Sequence, residues 1–180
     1  MKKVFLSISF VAFSLMALMG QSAAKVKWVT FAEAQKLQQT APRKVLMDIY
    51  TDWCGWCKRM DAETFNNPVI AEYINAHFYA VKFNAEGTDS IRYNNYTFTN
   101  QGGGQRSTHQ FAMALFNAQK MSAGYPSIAY FDEKMQLISV VSGYKKPVEM
   151  EVWLNYLVED KYKPTPLDEY RATFKSKLPK

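Results

Sequence analysis

Cys54 and Cys57 are the two cysteines of the chain, three positions apart within Asp52 to Met60, DWCGWCKRM. Thiols at this spacing can close a small structural loop, supply part of a metal site, or trade electrons by making and breaking a disulfide. So short a loop removes little entropy from the unfolded chain. A small exported protein that leaned on disulfides for stability would carry more of them at wider spacings. For zinc, His77 and His109 complete a two-Cys, two-His count. A strand and a glycine-rich loop lie between those histidines, however, and their spacing is not that of metal ligands. The pair is therefore expected to do chemistry, with no metal bound.

Such a pair needs elements that hold it. Thr30 and Glu33 form a capping box ahead of a helix whose apolar spacing is set by Phe31, Ala34 and Leu37. KVLMDIY (44–50) reads as a nearly continuous apolar strand, the kind buried on both faces of a parallel sheet. Four residues after Tyr50 a helix is expected to begin at Cys54. Asn67-Pro68 restarts helix with the proline at the first position, and Val69, Ile70, Tyr73 and Ile74 make its apolar stripe. FYAVKFN (78–84) is the next strand, completing a β-α-β crossover.

After a long connection, SIAYFD and LISVVSG read as an antiparallel hairpin. Pro147 opens an amphipathic helix, VEMEVWLNYLVED, and LDEYRATFKSK forms a short further helix beyond Pro164 and Pro166. Parallel β-α-β followed by antiparallel β-β-α predicts an α/β fold, a three-layer α/β/α sandwich.

The N-terminus carries Lys2 and Lys3, then a 16-residue apolar run from Val4 to Met19 with three serines, then GQSAAK. That is short of the ~20 residues that span a bilayer. Ser22 and Ala24 suit a signal peptidase, so residues 1–24 read as a signal peptide cleaved near Ala24-Lys25, with an uncleaved anchor as the alternative. The protein is expected to be exported, periplasmic or secreted. Cleavage leaves about 156 residues, enough for one domain with its own core, and lowers the net charge from +6 to +4. The lysines are scattered, which argues against a nucleic-acid surface. The expected organisation is a domain over 25–160 and a C-terminal helical extension over 161–180.

With these elements in order, the chain resembles the thioredoxin superfamily, in particular exported bacterial thioredoxin-like proteins with a WCGWCK-type site. Four features carry the resemblance: Asp48 inside the strand before the site, Trp53 to Lys58, Lys82 in the next strand, and Gly124-Tyr125-Pro126 before the hairpin. It implies that Cys54 sits at a helix N-terminus, where free N–H groups and the dipole favour a thiolate nucleophile. Cys57, one turn in and less exposed than Cys54, would then be the resolving thiol, and the resemblance implies no cofactor beyond a redox-active Cys54–Cys57 disulfide.

Asp48 interrupts a buried apolar strand, and an unpaired buried carboxylate is costly. The resemblance makes it the acid that takes the proton from Cys57; a sheet-edge Asp facing water is the plain alternative. Lys82 would tune that acid or be an ordinary surface lysine. Pro126 would be a cis-proline facing the disulfide, with the Tyr125 backbone pairing with a substrate strand. Trp53, Gly55 and Trp56 would complete the substrate-binding rim, although Trp53 could equally be packing that holds the loop.

Two departures stand out. Gly55-Trp56 lies where many reductases of this fold have Gly-Pro, and this dipeptide tunes the potential, leaving oxidant, isomerase and reductase open. The connection from about 85 to 123 is longer than a minimal thioredoxin needs. It reads either as a flap beside the site or as a β-ribbon covering an exposed edge. Asn95-Tyr96-Thr97 is a glycosylation sequon taken as chance.

The reading favoured by the resemblance is a monomeric thiol–disulfide oxidoreductase that reduces protein or peptide disulfides. Its electrons would come from a membrane thiol-transfer protein. A peptide-binding module without turnover is the rival.

Overall fold

A computed structural model describes residues 24–103 and 106–178. The expected signal peptide, save Ala24, lies outside the described residues. No helix among those described is long and apolar enough to cross a membrane.

The chain runs β1 (Trp28–Val29), α1 (Phe31–Gln38), β2 (Lys44–Tyr50), α2 (Gly55–Met60), a π-helical turn (Asp61–Phe65), α3 (Pro68–His77) and β3 (Phe78–Asn84). Then come β4 (Ile91–Tyr93), β5 (Tyr96–Phe98), α4 (Gln110–Ala118), β6 (Ser127–Phe131), β7 (Leu137–Ser142), α5 (Pro147–Val158) and α6 (Leu167–Thr173). Five strands form one sheet in the order β1-β3-β2-β6-β7. β1, β3 and β2 are mutually parallel, and β6 and β7 antiparallel. The expected β-α-β and β-β-α halves therefore join through β2–β6.

Alternation along the strands sorts the side chains into two cores. Val45, Met47 and Ile49 of β2 point with Val81, Phe83, Ala129 and Phe131 toward α1 and α4. Leu46 points the other way, with Ala80, Ile128 and Tyr130, onto α2, α3 and α5. By the same period Asp48 belongs to this second face. β2 is buried along nearly its whole length, which explains why its sequence shows no polar stripe.

The capping box holds: Thr30 Oγ1 accepts from Glu33 N–H, and Thr30 N–H donates to Glu33 Oε2. Several details differ from expectation. α2 starts at Gly55, with Cys54 as its N-cap, because the Cys54 sulfur itself takes the Cys57 N–H. Leu37 and Val69 are more than a third exposed; each sits on the rim of its helix stripe. α6 ends at Thr173, and Ser176 and the Lys177 N–H instead bind the buried Glu151 of α5. β1 is two residues long, too short to show a pattern.

The long connection holds a hairpin, β4–β5, and the crossover helix α4. The hairpin pairs with no edge of the main sheet. Ile91, Tyr93 and Phe98 instead pack onto the first core, where Tyr93 meets Phe31, Phe111 and Phe131 edge-on. This is a ribbon, covering a core rather than a sheet edge.

Candidate active site

Strand register decides what meets at one end of the sheet. β2 and β3 are parallel and in step from Lys44↔Phe78 to Tyr50↔Asn84, so residues after 50 and after 84 leave the sheet together. β6 enters antiparallel, with Ser127 opposite Ile49, so residues just before 127 arrive at the same end. The loop Thr51–Trp53, the start of the long connection and Tyr125-Pro126 thus converge. Ala85 N–H donates to Tyr50 O and Cys54 N–H to Thr51 O, fixing the first two segments.

Cys54 and Cys57 are joined in a disulfide. Both residues are almost wholly buried, 4% and 2% exposed, so the expected contrast between them is slight in this oxidised state. The neighbours are the reverse: Trp53 is 64% and Trp56 55% exposed. Gly55 has open space around it, where a Cβ would meet nothing within 4 Å. Glycine is thus not required there by packing.

The tryptophans serve different sides. The Trp53 ring meets Tyr125 edge-on at 6.1 Å, and its Nε1–H donates to Glu86 Oε1 at 2.9 Å. Trp56 lies against Tyr144 at 5.6 Å, with the Arg59 guanidinium over both rings. Glu63 ties that cluster by accepting from Arg59 and from the Tyr144 hydroxyl. The Tyr125–Pro126 peptide is cis, Pro126 is buried, and its carbonyl accepts from Gly143 N–H.

Asp48 is fully buried on the sheet face that carries α2 and α3. One carboxylate oxygen takes the Lys82 ammonium at 2.6 Å; the other has no hydrogen-bond partner. Burial pushes the Asp48 carboxyl up to about 6; the Lys82 charge pulls against this, and nearby Asp61 adds to it. Burial alone would lower Lys82, but Asp48 and Asp61 together raise it above its ordinary value. Lys82 Nζ also lies about 5 Å from the Trp28 and Tyr50 ring centroids, so its stem and charge are walled by aromatics. It is neither a free surface lysine nor a remote one.

Asp61, Glu86, Tyr144 and Arg59 went unnoticed in the sequence. Asp61 had a legible signal: it stands four residues after Cys57, on the same helical face. Glu86 and Tyr144 had none, since each reaches the site from a loop whose path only the fold sets. The histidines of the zinc reading are committed elsewhere. His109 caps α4, with Nδ1 accepting from Phe111 N–H and Nε2 on Asp89 O; His77 lies tilted against the Tyr73 ring at 4.5 Å. Among the described residues no group of three ligand-type side chains gathers to hold a metal.

The family of thioredoxin-like domains matches residues 31–158. The chain belongs to the thioredoxin-like family. Its Cys54–Cys57 pair, a CxxC-type site, lies within the matched residues. The thiol:disulfide interchange protein DsbD of Haemophilus ducreyi is 26% identical over 129 residues, 68% of this chain and 18% of that protein. The chain thus spans less than a fifth of that relative's length.

Among solved structures, a thioredoxin-fold protein from Helicobacter pylori is similar at TM-score 0.54 and 16% identity, over 73% of this chain and 79% of that one. A DsbH oxidoreductase is similar at TM-score 0.52 and 16% identity, over 87% and 96%. A Thermus thermophilus thioredoxin is similar at 0.53 and 15%, over 74% and 87%. These likenesses show a shared thioredoxin-like fold.

Proposed function

We propose that the protein is an exported thiol–disulfide oxidoreductase that reduces disulfides of polypeptide substrates. The observation that carries this is the Cys54–Cys57 disulfide at the N-terminus of α2, on a sheet whose one buried acid, Asp48, is held by Lys82. Asp48, buried and with its carboxyl raised to about 6, suits a proton acceptor working near neutrality.

The Cys54 thiolate attacks a substrate disulfide, forming a mixed disulfide and releasing one substrate thiolate, which takes a proton from water. Cys57 then gives its proton to the Asp48 carboxylate and attacks the Cys54 sulfur. That breaks the mixed disulfide, releases the second substrate sulfur as a thiolate that takes a proton from water, and leaves Cys54–Cys57 oxidised; Asp48 then loses its proton to solvent. Two electrons pass from the cysteine pair to the substrate. A thiol-transfer protein of the membrane would return two electrons, in keeping with the interchange protein among the relatives.

The reducing direction is favoured by the resemblance to exported bacterial thioredoxin-like proteins, while the stability of the reduced Cys54 thiolate sets the potential. The test is trapping. With Cys57→Ser, a reduced protein should accumulate mixed disulfides with disulfide-bonded polypeptides, and Cys54→Ser should not. No adduct with either variant would leave the binding-module reading in place.

A further inference from the structure

Beside the disulfide on the Trp53 side lies a cleft of about 780 Å³, lined by Asp52, Trp53, Glu86, Arg106, Thr108 and Tyr125. Three of these residues come from the long connection, Glu86 ahead of the β4–β5 hairpin and Arg106 and Thr108 between it and α4, so the cleft belongs in part to this chain's elaboration of the fold. Its walls are two aromatic rings and charges of both signs. Such a lining suits a stretch of polypeptide, with backbone dipoles and side chains to place, better than a small neutral disulfide.

The movable wall is Trp53. An indole 64% exposed would ordinarily sample several rotamers, and any rigid use of it in binding would have to offset that freedom. Here its Nε1–H is held by Glu86 at 2.9 Å while its ring stands edge-on to Tyr125.

Glu86 is itself firmly mounted. Its N–H donates to Asn84 Oδ1, and its carbonyl accepts from Asn100 Nδ2. The residue before it accepts from His109 N–H at 2.7 Å. Asn100, nearly buried, also donates to Ser107 O and accepts from Ser107 Oγ and Gly102 N–H. The segments before and after the β4–β5 hairpin are thereby stapled to one another beside Glu86.

We infer that Glu86 is a positioning residue that sets substrate specificity: by holding the Trp53 indole against Tyr125 it fixes a cleft that takes the polypeptide segment flanking the substrate cysteine. The inference rests on the disulfide-reductase reading above. The hydrogen bond, not the charge, does the holding, so a glutamine that keeps an acceptor oxygen should serve in its place.

The test uses the protein reduced with dithiothreitol and freed of it, as native, Glu86→Gln and Glu86→Ala, each checked for an unchanged melting temperature. Each is mixed with a peptide of about 12 residues carrying an internal disulfide, and separately with hydroxyethyl disulfide, which is too small to fill the cleft. The readout is the ratio of the two second-order rate constants. One net hydrogen bond corresponds to a factor of about three to ten. Glu86→Ala should lower the peptide-to-small ratio by that factor, and Glu86→Gln should restore it to within about twofold of native. An unchanged ratio in Glu86→Ala, or a fall in Glu86→Gln as large as in Glu86→Ala, would overturn the inference while leaving the reductase reading intact. Native protein that reduces neither compound would overturn both.

Discussion

Asp48 and Lys82 stand opposite one another in the parallel register of β2 and β3, and their side chains meet at 2.6 Å. Register makes the pair: in-step residues on neighbouring parallel strands point to the same face. A buried carboxylate without a partner costs several kcal/mol, on the order seen for isolated buried ions. Lys82 offsets part of that cost, Asp61 draws the same ammonium toward solvent, and Asp48 is left titrating near neutrality.

If Asp48 is the proton acceptor for Cys57, the resolving step should speed up with pH through about 6. Asp48→Asn should remove that inflection and slow the step by about a hundredfold, the lower range for loss of a general base. Lys82→Met should move the inflection upward, because the cation favours the charged acid. Asp61→Asn should move it downward, because Asp61 opposes ionisation. Rapid-mixing kinetics of mixed-disulfide resolution between pH 5 and about 8.5 would check all three. Shifts of one sign in both Lys82 and Asp61 variants would contradict the arrangement.

The same group links stability to pH. The folded protein holds the Asp48 proton to about 6, whereas the unfolded chain releases it near 3.8. The folded state therefore binds more protons between those values, and this contribution to stability falls as pH rises from about 4 to about 6. Asp48→Asn should be near neutral below pH 4 and should stabilise the oxidised protein at pH 7.5, by on the order of 2–3 kcal/mol. Urea melts at the two pH values measure it. Destabilisation by Asn at pH 7.5 would contradict the sign.

Much of this was legible before the fold. Asp48 was conspicuous as a charge in an apolar strand, and the CxxC pair, Pro126 and the strand–helix alternation all declared themselves by local pattern. What escaped was carried by loops and by register. Nothing in the sequence near Glu86 points to Trp53, 33 residues away; that contact exists because β2 and β3 end in step. The β4–β5 ribbon stayed ambiguous because Ile91, Tyr93 and Phe98 alternate like any short strand, and which core they cover depends on the tertiary path.

The staple beneath the cleft should be fragile at one point. A Cβ on Gly102 would fall 2.0 Å from Ser107 Oγ and 2.3 Å from its Cβ, so Gly102→Ala must displace the Asn100–Ser107 contacts. Overpacking of this kind costs about 1–3 kcal/mol. The expected result is faster hydrogen exchange at Asn100 and Glu86, with exchange in β2 and β3 little changed. Uniform loss across the sheet would show that the connection is not a separate unit.

His109→Ala should cost about 1–2 kcal/mol, because its ring caps α4 through the Phe111 N–H. The ring is buried, and burial holds its pKa below the usual value despite the opposing Asp89 carbonyl. It should therefore stay neutral through pH 7, and an NMR titration of the ring would check this. A midpoint above the ordinary histidine value would contradict the neutral cap.

The most direct test of the central claim is the reduction potential of the Cys54–Cys57 couple, measured by equilibration with thiol buffers of known poise. An electron donor to polypeptide disulfides should lie near about −270 mV, the value of thioredoxin. A value between about −180 and −120 mV would place the protein among catalysts that insert or reshuffle disulfides, and would contradict the proposed direction of electron flow.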